Sequence, residues 1–402
     1  MNQNNRKFVP VTIGANLGAY SLARAFHEQY GVNTELLCGV VIFPVKDSKL
    51  FNITVDSNLH YEPRESLKKY IEVIENKYPG YEKIIVPSED FSVNYVLSNI
   101  DLFGDDWHIP FSGKELVDEV ANKQDFYNIC ETVGLKYPKT WTLGADDEFP
   151  ADAKGKLVIK HLESRHFEAA VKSGIKKIYV NDNEVQAEAA LKQIREDGFL
   201  ERLVLQEYIE SDDTDIAVVT SYRSPVDKEV KLVSFGRVLV EDRSEMKGGN
   251  HLTILTEEVP VEVKEGITRL LEKKDYVGFA NFDIIYDNSR GEWNFLELNP
   301  RLGYSNYQLT AQGYNVAKIL VDDLLYQLDM SDFNESHIVY TVIDNGLNNK
   351  YITDDYKDTF NNLKQSHNVY SPYDYKGDSS LKRKLEMLKY HRRARMEIVE
   401  GR

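Results

Sequence analysis

The sequence predicts a parallel α/β domain over residues 1–111, an α+β domain over residues 112–330, and a C-terminal segment, 331–402, packed on the second domain. Three observations predict it. Apolar runs of strand length alternate with amphipathic helical stretches as far as Phe111, the pattern of a parallel sheet with crossover helices. Ser112 and Glu115 then stand at capping-box spacing and mark a new start. From Lys156 to Arg301 the apolar runs are parted by short helices and polar turns, as in an antiparallel α+β domain.

In order, FVPVTIG is the first strand. ANLGAYSLARAFHEQYG follows as a helix, with Leu22, Ala25 and Phe26 on its stripe and Gly31 as its stop. LLCGVVIF is read as a strand, SLKKYIEVIENKY as a helix and EKIIVPS as a strand. SGKELVDEVANKQDFYNICETVG is a helical pair closed by Gly134. KLVIKH, LVLQEYIE, DIAVVTSYR, KLVSFGRVLVE, GFANFDIIYD and EWNFLELN are the strands of the second domain, and YQLTAQGYNVAKILVDDLLYQL is a helix. The last segment is Tyr-rich and ends in the basic run LKRKLEMLKYHRRARMEIVEGR, which reads either as a nucleic-acid or polyphosphate contact or as a solvated helix.

The 402 residues are 42% hydrophobic and 28% charged, enough for two or three domains with cores of their own. A net charge of -16 argues against nucleic acid or an anionic membrane as a general partner, while leaving room for a nucleotide in a local basic site. Cys38 and Cys130 are the only cysteines, no CxxC occurs, and the polar start MNQNNRK is followed by no apolar h-region. A reducing, cytoplasmic compartment is expected, with no membrane span, since no apolar run is long enough to cross a bilayer. Nothing in the pattern sets an oligomeric state.

The chemistry gathers at WNFLELNPRLGYSN. In an extended chain Phe295, Glu297 and Asn299 share one face and Asn294, Leu296 and Leu298 the other. The acid is therefore expected beside an aromatic, where it needs a cation, a donor or a ligand. The turn NSRG joins this strand to GFANFDIIYD, and centring the hairpin on Arg290 sets Asp283 opposite Glu297, about 5 Å away at Cβ. Two like charges so placed need something positive between them. Asp283, Glu297 and Asn299 form an all-oxygen set suited to Mg²⁺; the alternative is a solvated face with incidental acids.

A Mg²⁺-bound nucleotide requires lysines for its phosphates. Lys123 begins a helix and Lys160 ends a strand, and together they are candidates. Gln206, Glu207, Tyr208 and Ile209 end another strand, whose edge could meet an adenine, and Asp213 could accept from ribose hydroxyls.

Taken in order, Lys123, Lys160, QEYI, Asp213, Asp283 and ELNPR resemble the ATP-grasp superfamily of carboxylate-amine ligases over roughly residues 1–330. FVPVTIGANLGAYSLARAFHEQYG, NKQDFYNICETVGLKYPKTW and KGGNH at 247–251 are similar to the branch of that superfamily that ligates D-aspartate in peptidoglycan synthesis. The resemblance implies an ATP-grasp fold with a cleft between two α+β subdomains. It implies ATP with two Mg²⁺, or Mn²⁺ in their place, on Asp283, Glu297 and Asn299. Lys123 and Lys160 would contact phosphates, Gln206, Glu207 and Ile209 would frame the adenine, and Arg301 would be catalytic, neutralising the transferred phosphoryl or the acyl phosphate. The implied substrates are an amino acid, D-aspartate through its β-carboxylate, and the lysine amine of a nucleotide-linked peptidoglycan precursor. One departure stands out: after Lys160 the chain reads HLESRHFEAAVKSG, with no glycine before Gly174, so Ser164, Arg165 or His166 would replace a glycine-rich lid, or the segment is a charged surface loop.

Three rivals are weighed against this. A dinucleotide-dependent oxidoreductase would use Gly14 and Gly18, but GANLGA lacks the G-x-G-x-x-G pattern; the pair fits close packing, or a carboxylate near a helix N-terminus. A non-catalytic nucleotide-binding module leaves Arg301 without a role. An ATP-grasp ligase for another amino acid or peptide fits the same residues.

Overall fold

The computed structural model describes residues 6–161, 176, 178–243, 249–328 and 336–400. Three sheets organise them. The first is five-stranded and parallel, ordered β3-β2-β1-β4-β5. In it β1 (Phe8–Ile13), β2 (Thr34–Cys38), β3 (Phe51–Val55), β4 (Glu82–Ile85) and β5 (Trp107–His108) alternate with α1 (Leu17–Tyr30), α2 (Pro63–Lys77) and α3 (Asp90–Ser98). The helix α1 begins where the Asn16 side chain accepts from Ala19 N and ends at Gly31, whose φ of 66° a side chain would resist. One strand differs from expectation. LLCGVVIF stops pairing at Cys38, and the edge strand is Phe51–Val55 instead. Phe43 packs against Tyr373 and Tyr390, and Val41 against the core they join, so a tertiary partner claims that apolar run.

The expected helical pair is α4 (Lys114–Ala121) and α5 (Lys123–Val133). The capping box does not form. Ser112 Oγ donates to Val277 O and accepts from Val277 N, so Gly113 is the cap of α4, while the Asn122 side chain caps α5.

The smallest sheet, ordered β6-β9-β7-β8, is antiparallel: β6 (Thr140–Leu143), β7 (Leu157–His161), β8 (Ile178–Asn181) and β9 (Leu203–Glu207), with α6 (Glu184–Glu196) on one side. The largest is ordered β14-β13-β10-β11-β12-β15-β16. It contains β10 (Ile216–Arg223), β11 (Val230–Glu241), β12 (His251–Glu257), β13 (Gly278–Asp287), β14 (Glu292–Asn299), β15 (Val339–Thr341) and β16 (Val369–Tyr370). One face packs on α5 and α7 (Val261–Lys273), through Phe126, Ile267, Leu270, Phe282 and Phe295. Phe111 bridges to Gly278, so the chain leaving the parallel sheet touches the large sheet directly.

After β14 the expected single helix is broken into α8 (Tyr307–Gln312) and α9 (Val316–Val321). Gly313 at φ 119° ends the first, and the Asn315 side chain caps the second. The C-terminal part holds α10 (Asn345–Tyr351), α11 (Asp354–Gln365) and α12 (Leu381–Glu400). It extends the large sheet through β15 and also holds the first sheet's loop, where Arg383 donates to Lys46 O and Tyr390 stacks on Phe43 at 4.2 Å.

Candidate active site

The hairpin of β13 and β14 carries the acids. Its turn is closed by Gly291, whose N–H donates to Asp287 O, and the pairs run Asp287 with Glu292 up to Ile284 with Phe295. There the register shifts, and beyond it Asp283 stands opposite Glu297 and Asn281 opposite Asn299. Leu296 is the extra residue of a β-bulge, its carbonyl accepting from Tyr127 O–H at 2.8 Å while Phe295 N donates to Lys136 O at 2.8 Å. The bulge reverses the side-chain alternation. Trp293, Phe295 and Leu298 all enter the core, and Glu297 and Asn299 leave on the other face. The expectation that Phe295 and Glu297 share a face is therefore corrected, although the Asp283–Glu297 pairing stands.

On that face Lys123 Nζ lies 3.2 Å from Glu297 Oε2, and His251 Nε2 lies 3.4 Å from Asp283 Oδ1. The Lys123 ammonium holds the Glu297 carboxyl well below the usual carboxylate range against the pull of burial. Asp283 goes the other way, raised by burial and by Glu297 opposite, with His251 opposing. Burial works against charge on His251, yet Asp283, with Glu241 and Glu297 behind it, raises the ring above its ordinary value. Burial also raises Glu241, which pairs with His251 across β11 and β12.

Asn299 Nδ2 approaches Asp283 Oδ2 at 3.5 Å and Glu297 Oε1 at 3.4 Å, and its Oδ1 faces Arg301 Nη2 at 3.4 Å. As oriented, the amide offers hydrogens to the acids; rotating it by half a turn would present its oxygen as a ligand. Arg301 reaches back to the first sheet, donating to Asp90 Oδ1 at 2.6 Å and Oδ2 at 3.3 Å. Next to Asp90, the Glu89 carboxyl lies over Gly14, where any Cβ would collide with it. Gly14 and Gly18 thus serve close packing, and the carboxylate at that strand-helix turn belongs to the chain itself. Burial pushes Glu89 up to about 7, Asp90 adding to the rise while Arg301 and Asn16 oppose it.

The nucleotide candidates are spread along the smaller sheet. Lys160 Nζ donates to Gln206 Oε1 at 3.0 Å, and Gln206 Nε2 donates to Tyr127 Oη at 2.9 Å. Because Tyr127 also holds Leu296 O, a hydrogen-bonded chain joins Lys160 to the bulge beside Glu297. Glu207 is gripped by both Arg290 nitrogens, at 2.7 and 2.8 Å. Tyr208 lies under Lys156, 4.0 Å from the ring centroid, and Ile209 is buried. Asp213 is buried and already engaged: Oδ2 accepts from Glu241 N at 2.9 Å and Oδ1 from Arg243 Nη2 at 2.5 Å. Asp283, Glu297, Asn299, Lys123 and Arg301 therefore form one cluster, Lys160 and Gln206 connect to it, and Glu207, Tyr208, Ile209 and Asp213 belong to its flank. Ser164, Arg165, His166, Lys247 and Gly248 lie outside the described residues. Sequence reasoning assigned no role to His251, Glu241, Glu89 or Asp90. The only signal for His251 was its place in KGGNH.

Among the described residues no group of three or more His, Cys, Asp or Glu is arranged to hold a metal ion. Two opposed carboxylates and an amide still match Mg²⁺, which keeps water and phosphate oxygens and needs few protein ligands. The donor set suits the ion, and Asp283, Glu297 and, after rotation, Asn299 could hold it.

A parallel α/β unit, a small antiparallel sheet and a large, mostly antiparallel sheet, with this cluster on the hairpin at the large sheet's edge, make up the ATP-grasp fold. The chain is 14% identical to an L-amino acid ligase from Bacillus licheniformis, with a TM-score of 0.51, 82% of this chain and 75% of that one covered. It is 13% identical to the biotin carboxylase domain of Hydrogenobacter thermophilus 2-oxoglutarate carboxylase, which was solved with MgADP and bicarbonate; there the TM-score is 0.58, with 83% and 74% covered. In sequence it is similar to D-aspartate ligase of Enterococcus faecium, 26% identical over 336 residues, which are 80% of this chain and 78% of that protein. No protein-family model matches the chain.

Proposed function

We propose that this chain is an ATP-dependent ligase that joins the β-carboxylate of D-aspartate to an amine, the lysine side chain of a nucleotide-linked peptidoglycan precursor. The observation that carries the reaction class is the pair Asp283 and Glu297, opposed on adjacent strands beside Lys123, with Arg301 just past the strand end. Similarity to D-aspartate ligase supports the choice of substrates. Carboxylates are poor electrophiles. A carboxylate oxygen attacks the γ-phosphorus of ATP and ADP leaves; the amine then attacks the acyl carbon, phosphate leaves, and the amine gives up a proton. Arg301 offers a guanidinium to the charge that develops on the transferred phosphoryl and acyl oxygens. Lys123 and Lys160 would offer ammonium groups to the phosphates, and Gln206, Glu207, Tyr208 and Ile209 would frame the adenine. Mg²⁺, as two ions or with Mn²⁺ substituting, would neutralise phosphate charge at Asp283, Glu297 and Asn299. Asp213 contacts a ribose only if Arg243 releases it. We place the reaction in the cytoplasm and keep 1–111, 112–330 and 331–402 as the working division of the chain.

The test is incubation of purified protein with ATP, Mg²⁺ and D- or L-amino acids, with and without precursor, read by mass. Product with D-aspartate alone supports the reading. Product only with another amino acid retains the ligase and overturns its substrate.

A further inference from the structure

One feature of the sequence has no part in the ligase reading: the basic run at the end of the chain, which folds as α12. Its inner face is defined by Met387, Tyr390, Ala394 and Ile398, which pack on the core shared with the first sheet. With 3.6 residues per turn, Leu381, Leu385, Leu388, Met396 and Val399 fall on the opposite side, within an arc about 80° wide. They are exposed, Leu381 at 79%, Leu388 at 58% and Met396 at 60%. The same arc carries Arg392. Lys382, Lys389 and Arg393 border the stripe on one side, Lys384 and Arg395 on the other. Residues 381–400 hold seven Lys and Arg against three Glu in a chain of net charge -16. Arg383 is buried against Asp378 and takes no part in this surface, while Lys382, Lys389, Arg393 and Arg395 meet Asp47, Glu386, Glu397 and Asp344 at 2.6–2.8 Å through side chains on the outside of the protein, where such pairs hold weakly and can exchange for lipid phosphates.

We propose that α12 lies against an anionic membrane surface, its leucine stripe entering the headgroup boundary and its lysines and arginines meeting lipid phosphates. A stripe of apolar side chains bordered on both edges by cations is the pattern of an interfacial helix. No helix among the described residues is long and apolar enough to cross a bilayer, so the contact is peripheral. Charge selects this occupant. Symmetric pairing with a second copy would bring two basic helices together, and a nucleic acid leaves the leucines without a partner. The acidity of the whole chain opposes a general attraction to lipid, but the field at a surface is local and screened within about 8–10 Å in physiological salt.

The test is flotation of the full chain with phosphatidylglycerol-containing vesicles and with phosphatidylcholine vesicles. The wild type floats with the anionic vesicles at low salt, roughly tenfold above the neutral ones, and high salt releases it. Leu385→Asp combined with Leu388→Asp lowers the bound fraction about tenfold, as does Lys389→Glu combined with Arg393→Glu, with circular dichroism and ligase activity in the absence of lipid unchanged. A wild type that stays with the soluble fraction overturns the proposal, as does a leucine variant that floats like the wild type. Light scattering that shows a dimer split by the leucine variant assigns the stripe to a second copy instead. Binding of a DNA duplex without vesicle binding assigns the helix to nucleic acid, and it too overturns the proposal.

Discussion

Glu297 is held ionised by Lys123, 3.2 Å away, so its charge is fixed before any ligand arrives. Glu297→Gln keeps the shape and removes that charge; turnover should fall on the order of 100-fold or more with the melting temperature little changed. Near-normal turnover would remove Glu297 from the site. Arg301 is fixed by Asp90 on one side and Asn299 on the other, a grip suited to a planar fork. In Arg301→Lys the ligation rate should therefore fall far more than ATP affinity, checked by single-turnover kinetics beside calorimetry. Loss of both in equal proportion would make Arg301 a ground-state ATP contact. Glu89 supplies a pH dependence. Its folded-state pKa, about 7, lies above the unfolded value, so the folded state holds the extra proton. Stability is then greatest below the ordinary carboxyl range and declines as pH rises toward about 7. Glu89→Gln should flatten the melting temperature between about pH 5 and pH 7; an unchanged slope would place the titration elsewhere.

Among the elements, the acid hairpin shows what a sequence can and cannot disclose. Centring it on Arg290 yields the correct Asp283–Glu297 pair, yet near the turn the strands pair Asp287 with Glu292, a register one residue different. Leu296 makes up the difference. Its bulge is set by Tyr127 and Lys136, remote in sequence, so local periodicity could not reveal it, and the face of Glu297 was misread for that reason. LLCGVVIF was misread likewise, because Phe43 is claimed by Tyr390 from the far end of the chain. Motifs whose partners are adjacent, such as the helix stops at Gly31 and Gly134, were legible. The junction of the parallel and large sheets depends on Gly278, at φ 93°, where a Cβ would collide with the Pro110 carbonyl oxygen. Gly278→Ala should cost about 2–4 kcal/mol by urea unfolding, from a left-handed backbone and a backbone clash together. A cost below about 0.5 kcal/mol, that of an ordinary surface substitution, would show that the junction yields.

Across the whole molecule, the cluster joins all three sheets. Arg301 ties the end of β14 to Asp90 beside the parallel sheet, and Tyr127 links the bulge to Gln206 and Lys160 on the small sheet. The proposed ligation requires this arrangement to hold a nucleotide and a carboxylate against each other, so that the carboxylate becomes an acyl phosphate. The most direct measurement replaces the natural amine with hydroxylamine, in the presence of ATP, Mg²⁺ and D-aspartate. The expected product is the β-hydroxamate of D-aspartate, with ADP and phosphate released in step with it. Formation of AMP and pyrophosphate, or no hydroxamate with any D- or L-amino acid, would contradict it.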